Sequence, residues 1–89
     1  MINKKPKLRD HVLMREEEFG AILFDSVKGR MHQINKTGVF ILQLCNGENT
    51  IETIAKELAR SEKAPKRNVA KDTEEFLGDL FNRELIEWR

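Results

Sequence analysis

The chain of 89 residues has few of the features that mark several common protein classes. It contains one cysteine, Cys45, so no internal disulfide can form. Cys45 lies in an apolar run, which indicates a buried thiol in a reducing compartment. The 16 basic residues nearly cancel the 15 acidic ones, so there is no overall field to attract nucleic acid or anionic lipid. No apolar run reaches the roughly 18 residues of a membrane span, and the N terminus lacks a signal peptide's apolar segment. We therefore expect a cytoplasmic protein.

Residues associated with catalysis or metal binding are also sparse. His11 and His32 are isolated, and together with Cys45 they lack the spacing of a zinc site. The 5 glycines are scattered and form no phosphate-binding loop. Neither serine of the chain lies in a nucleophile motif. We therefore expect no enzyme activity, no metal and no cofactor.

The first half of the chain shows the pattern of short antiparallel strands. Apolar alternation and one continuous apolar run predict strands over His11–Arg15, Ala21–Phe24 and Arg30–Ile34. Asp25 and Gly29 indicate a hairpin turn between the second and third strands. Short connections give the spatial order first, second, third, so the third strand lies at an edge with unpaired backbone groups.

Three helices are predicted to follow these strands. Asn35 is a good N-cap for a helix over Lys36–Cys45, and Gly47 is placed for a left-handed cap at its end. Thr50 caps a second helix, whose apolar residues recur at i, i+3, i+4 and i+7. A third helix covers Arg67–Asn82. The expected fold is α+β: a small winged-helix-like domain with a three-stranded antiparallel sheet followed by three helices.

The length allows one folded domain. We divide the chain into a flexible basic arm over residues 1–10 and a single domain over residues 11–89. The initial Met1 favours a free-standing protein.

The same pattern of strands and helices also fits a winged-helix DNA-binding transcriptional regulator, in which the third helix would read the DNA. That helix carries basic residues, but it also carries carboxylates such as Asp72, Glu74 and Glu75. These would repel phosphates, on which the affinity of DNA-binding proteins largely depends. DNA binding is therefore the alternative, and the preferred interpretation has no nucleic-acid partner.

An ordered set of residues resembles the PqqD-like family, the peptide chaperones of pyrroloquinoline quinone biosynthesis and the related RiPP recognition elements. The resemblance extends from Val12 to Ile86. It comprises Asp25…Gly29…Ile34-Asn35-Lys36-Thr37-Gly38, Ile41-Leu42…Leu44…Gly47, Thr50-Ile51-Glu52…Ile54-Ala55…Leu58 and Val69…Phe76-Leu77…Leu80…Leu85-Ile86. One departure is Glu84, where the family often has glycine before the final Leu-Ile pair.

The resemblance implies a non-catalytic domain that binds the leader segment of a ribosomally synthesised precursor peptide. In this family the leader adds as a strand to the third strand and is presented to a modifying enzyme, often of the radical SAM type. The peptide-pairing strand would here comprise Arg30, Met31, His32, Gln33 and Ile34. The resemblance further implies a groove lined by Val69, Asp72, Thr73, Phe76 and Leu80, and pairing of acidic leader residues with Lys66, Arg67 and Arg83.

Physical considerations agree with strand addition, which needs an open edge and pockets for alternate side chains. Four or five backbone hydrogen bonds contribute about 1 kcal/mol each. Burial of apolar leader side chains must supply the rest, which predicts a Kd on the order of micromolar. Two ordinary interpretations stay open: Val69 and Phe76 as core residues, and the edge as a contact between two copies. The expected partners are a precursor peptide and a radical SAM/SPASM enzyme, with no membrane contact, for a monomer or weak edge-paired dimer.

Overall fold

A computed structural model describes residues 4–62 and 66–89 of the chain. Along these residues run β1 (Pro6–Leu8), β2 (Val12–Glu17), β3 (Gly20–Asp25), β4 (Arg30–Asn35), α1 (Lys36–Gln43), α2 (Ile51–Glu62), α3 (Lys66–Asn82) and β5 (Ile86–Trp88). The predicted α+β fold is confirmed: β2, β3 and β4 form an antiparallel sheet in that order, and the helices follow it. Strand and helix ends differ from the predicted ones by up to two residues.

The hairpin between β3 and β4 forms for the reasons that the sequence indicates. The Asp25 carboxylate accepts hydrogen bonds from the backbone N–H groups of Val27 and Lys28, at 2.9 and 3.0 Å. Gly29 takes a left-handed φ of 67°, which glycine adopts at no steric cost. The hairpin is thus closed by local chemistry, and it delivers β4 to the edge of the sheet.

The helix starts also follow the prediction, whereas one helix end does not. The Asn35 side chain accepts a hydrogen bond from the Gly38 N–H at 2.8 Å, and Thr50 Oγ1 accepts one from the Thr53 N–H at 3.2 Å. The first helix ends earlier than predicted, at Gln43. Gly47 has a φ of 82°, but its N–H donates to Pro6 rather than to the helix, so the expected helix cap is wrong.

A second, two-stranded sheet was not predicted. Pro6–Leu8 pairs antiparallel with Ile86–Trp88, although this segment falls within the arm predicted over residues 1–10. Pro6, Leu85 and Ile86 are fully buried, so contact with the distant C-terminal segment orders these residues. Residues 1–3 of the predicted arm lie outside the described residues.

One apolar core joins the sheet to the helices. The inner face of the β2–β3–β4 sheet contributes Val12, Leu23 and Ile34, which pack with residues of all three helices. The buried side chains of the helices include Ile41, Leu42, Ile54, Ala55, Leu58, Leu77 and Leu80. Cys45 is buried as expected, and burial raises the pKa of its thiol to about 12. None of the helices in the described ranges has the length and apolar character of a transmembrane span.

Candidate functional site

The register of the sheet decides which backbone groups of β4 are free. Val12 and Asp25 are opposite each other on β2 and β3, and the Ser26 N–H donates to the His11 carbonyl at 3.0 Å. This bond marks Val12–Asp25 as a pair without mutual hydrogen bonds, so the backbone groups of Asp25 point towards β4.

The direction then alternates along β4, because successive residues of an antiparallel strand bond to opposite sides. Arg30 faces Asp25 in the register, so Arg30, His32 and Ile34 bond to β3. Met31 and Gln33 direct their N–H and C=O groups away from the sheet. No other strand in the described part of the chain pairs with this side of β4. The open edge therefore offers two donors and two acceptors over these two residues.

Two concavities lie between β4 and α3, and we call the two together the groove; the close packing at its floor depends on one glycine. Gly38, at the start of α1, is buried between β4 and α3. A Cβ at this position would overlap the Ile34 side chain and would lie 2.9 Å from Phe76 Cζ. Glycine thus allows α1, β4 and α3 to approach closely at the bottom of the groove.

One end of the groove is predominantly apolar. It holds a concavity of about 200 Å³ lined by Asn35, Thr37, Gly38, Ile41, Leu58, Glu62, Val69, Asp72, Thr73 and Phe76. Thr73 is fully buried, and its Oγ1 has no hydrogen-bond partner among the described residues. Because this oxygen is inaccessible, it is an unpaired polar atom of the interior and not a contact for a ligand.

The other end of the groove is basic. It holds a concavity of about 280 Å³ lined by Lys28, Arg30, His32, Asn82 and Arg83. Arg83 lies 3.2 Å from Asp79 and 3.3 Å from His32 Nδ1. Lys28 lies 3.3 Å from Glu84. Arg30 is exposed and makes no ion pair within residues 4–62 and 66–89. Its guanidinium is therefore the positive charge at this end that is most available to an acidic residue of a ligand.

The predicted site residues are only partly brought together. Val69, Asp72, Thr73 and Phe76 line the apolar end, and Arg83 joins the basic end. Leu80 is buried in the core and lines neither concavity. Lys66 and Arg67 lie in the first turn of α3, and the prediction for their side chains falls outside the described residues.

Sequence reasoning missed several residues at the two ends. Lys28 and Asn82 belong to the basic end, and the predicted hairpin turn already placed Lys28 close to Arg30. Thr37, Gly38, Ile41, Leu58 and Glu62 belong to the apolar end, but only the packing of α1 and α2 beside α3 brings them there.

Asp25 shapes the electrostatics of the hairpin that carries β4. Hydrogen bonds from the Lys28 and Val27 backbone N–H groups, with nearby His11 and Lys28, outweigh burial and lower the pKa of its carboxyl. The His11 Nε2 lies 3.6 Å from Asp25 Oδ1. The Asp25 carboxylate therefore stabilises the hairpin turn between β3 and β4. Within the described ranges, His, Cys, Asp and Glu form no group that could hold a metal ion.

The chain is similar to one described protein family over most of its length. The family described as Coenzyme PQQ synthesis protein D (PqqD) matches residues 10–86. No curated protein matches the chain.

Solved structures share the fold. A lasso peptide synthetase B1 complexed with the leader peptide has a TM-score of 0.83 at 18% identity, covering 93% of this chain and 98% of its own. TbiB1 in complex with the TbiA(beta) leader peptide has a TM-score of 0.82 at 23% identity, covering 91% and 94%. The PqqD truncation of Methylobacterium extorquens PqqCD, described as a functional and stand-alone RiPP recognition element, has a TM-score of 0.77 at 25% identity, covering 92% and 87%.

Proposed function

We propose that this chain, which belongs to the PqqD family, binds the leader segment of a ribosomally synthesised precursor peptide and presents it to a modifying enzyme. The observation that carries the proposal is the open edge at Met31 and Gln33 beside the groove along α3. Two of the similar structures were solved with leader peptides, which supports a peptide ligand. The description of the Methylobacterium extorquens domain as a stand-alone recognition element supports a non-catalytic role.

The peptide would pair with β4 as a fourth strand of the sheet. Met31 and Gln33 supply four backbone hydrogen bonds, each contributing about 1 kcal/mol net. Alternate peptide side chains point into the groove, where Val69 and Phe76 offer apolar contact. The backbone hydrogen bonds give about 4 kcal/mol. A Kd on the order of micromolar, about −8 kcal/mol, therefore requires burial of apolar peptide side chains to supply about 4 kcal/mol more after the cost of ordering the peptide.

The charge of the groove sets a preference among leader peptides. Arg30 at the basic end attracts a carboxylate, and the exposed Asp72 and Glu62 at the apolar end disfavour one. A leader that places an acidic residue near Arg30 and an apolar residue near Phe76 therefore fits best. The corresponding precursor would carry both residues in one extended segment.

The modifying enzyme in this proposal is of the radical SAM/SPASM type, and the complex forms in the cytoplasm. The single thiol, buried and with a raised pKa, fits a reducing compartment. The free domain is a monomer or a weak dimer paired through β4, and peptide binding would displace such a dimer because both use the same edge.

An NMR titration tests the function directly. Labelled protein is titrated with synthetic peptides covering the leader segments of precursors encoded beside its gene, with a composition-matched scrambled peptide as the control. We expect saturable shifts at the Met31 and Gln33 amides and along α3 from Val69 to Phe76. Absence of binding by every such peptide would contradict the proposal. Shifts at Lys71 and Arg83 with duplex DNA, lost on adding salt, would favour the DNA-binding alternative.

A further inference from the structure

The imidazole of His32 lies at the basic end of the groove and has a defined hydrogen-bond partner. His32 faces the buried Leu23 in the register, so its half-buried side chain is on the inner face of the sheet and lines the basic concavity. Its Nδ1 lies 3.3 Å from Arg83 Nη1. A guanidinium can only donate, so Nδ1 accepts this hydrogen bond, and the proton of the neutral ring is on Nε2. The ring therefore presents its Nε2–H as a donor.

The register of strand addition brings one peptide residue against this ring. The backbone groups of His32 bond to β3, so an antiparallel peptide strand held by Met31 and Gln33 faces His32 in a pair without mutual hydrogen bonds. The two side chains of such a pair point to the same face, and their Cβ atoms are about 4.5–5.5 Å apart. The leader residue opposite His32 therefore directs its side chain into the basic end of the groove.

The charges around His32 favour a carboxylate at this place. The charged groups around the ring are Lys28 on the β3–β4 hairpin, Arg30 on β4, Asp79 and Arg83 at the end of α3, and Glu84 directly after it. The two carboxylates each pair with a cation, at 3.2 and 3.3 Å. On β3, Asp25 faces Arg30, but its carboxylate is buried and bonded to the turn. Arg30 shares the inner face with His32, two residues away on β4, so both side chains can reach one carboxylate.

We propose that His32 and Arg30 together bind an acidic side chain of the leader, and that this binding is coupled to protonation of His32. The inference rests on the proposed function and specifies its ligand. The Nε2–H donates to the leader carboxylate, and Arg30 pairs with the same group. When Nδ1 takes a proton from solvent it gives up the bond from Arg83, which keeps its pair with Asp79, and the imidazolium attracts the carboxylate. Carboxylate and proton raise each other's affinity by the same factor, so leader binding tightens as the pH falls from about 8 to about 6.

Calorimetric titration of glutamine variants tests this coupling. The peptides are synthetic leader segments of precursors encoded beside the gene, each also made with its acidic residues changed one at a time to the amide. Glutamine donates and accepts hydrogen bonds but takes up no proton, so His32→Gln keeps the neutral contacts and removes the charge. The matched control is His11→Gln, because His11 is the other of the 2 histidines and precedes β2, two strands from the open edge. Titrations in phosphate and in imidazole buffer at about pH 6.5 count the protons taken up, and titrations at about pH 6 and about pH 8 give the affinities.

NMR of the wild-type domain tests the arrangement without a variant. At about pH 8 the ring nitrogen shifts should show the proton of His32 on Nε2 in the free domain. A proton on Nδ1 would overturn the assigned bond from Arg83. In the complex, the nuclear Overhauser contact between the two Hα atoms identifies the peptide residue opposite His32, and this residue should be an aspartate or a glutamate.

We expect the wild-type domain and His11→Gln to take up part of a proton on binding the leader, and to bind it about fivefold more tightly at about pH 6 than at about pH 8. Both effects should disappear in His32→Gln, and also when the acidic residue opposite His32 is changed to its amide. A bound leader without an acidic residue at that position, or proton uptake that persists in His32→Gln, would overturn the inference and leave the proposed function standing. Failure of every leader segment to bind would instead overturn the proposed function itself.

Discussion

Proline substitutions at the open edge test strand addition most directly. Met31 and Gln33 point their N–H groups away from β3, so proline at either position removes no hydrogen bond of the sheet. His32 bonds to β3, and His32→Pro should instead destabilise the domain. The three variants together check both the register and the ligand site.

The expected loss follows from the hydrogen bonds at the edge. Met31→Pro or Gln33→Pro removes one donor to the peptide, about 1 kcal/mol, and leaves a peptide carbonyl without a partner, about 1 kcal/mol or more. A total of about 2 kcal/mol per proline corresponds to roughly 30-fold weaker binding. The proline ring also occupies space that the peptide strand needs.

The matched control is Glu16→Pro on β2. Alternation from Val12 directs the Glu16 N–H to the opposite edge of the same sheet, where no hydrogen bond uses it in the described structure. Its effect on the free energy of unfolding should be similar to that of the edge prolines. Calorimetric titration with the leader peptide gives the affinities, and urea unfolding gives the stabilities. Folded Met31→Pro and Gln33→Pro variants with wild-type affinity would refute strand addition at β4, as would an equal loss in Glu16→Pro.

Four further predictions concern single side chains. Thr73→Val removes a buried hydroxyl without a partner and should stabilise the free domain by about 1 kcal/mol in urea unfolding; an unchanged or lower stability would show that the hydroxyl is satisfied. Glu84 has a left-handed φ of 62°, so Glu84→Gly should raise the unfolding free energy by about 1 kcal/mol despite loss of the exposed Lys28 pair; a decrease would contradict this balance. The pKa of the Asp25 carboxyl is lower in the folded chain than its ordinary value of 3.8, so the ionised carboxylate stabilises the fold above pH 3.8. This contribution is lost as the pH falls from 3.8 through the folded-state pKa. Acid unfolding followed by Trp88 fluorescence should therefore be less steep in Asp25→Asn. Cys45, with a pKa of about 12, should react with iodoacetamide at pH 8 far more slowly in the folded than in the urea-unfolded chain, and equal rates would argue against burial.

The backbone conformation at position 84 accounts for the glycine that the family often has there. The Leu85 N–H donates to Leu80 and the Glu84 N–H to Phe81, a hydrogen-bond pattern that ends α3 and requires a left-handed residue at position 84. Glycine would fit this position without strain. The departure noted in the sequence therefore lies at the C-terminal cap of α3, and the chain turns there into β5.

The sequence by itself determined the features that depend on neighbouring residues. The Asp25–Gly29 turn and the Asn35 and Thr50 caps are short-range hydrogen bonds and φ preferences, and the structure has all of them. The amphipathic pattern of Ile54, Ala55 and Leu58 likewise determined which face of α2 is buried. The family resemblance and the α+β fold follow from the order of such local signals.

Only the tertiary structure decided the features that join distant segments. Pro6–Leu8 forms a strand because Ile86–Trp88 lies beside it, and no local pattern pairs two ends of a chain. The register of β4 decided that Met31 and Gln33 face the edge, since one residue of slip would reverse every backbone and side-chain direction. The packing of α3 decided that Thr73 is buried at the groove whereas Leu80 belongs to the core, because residues at helical spacing share a stripe whose halves meet different neighbours.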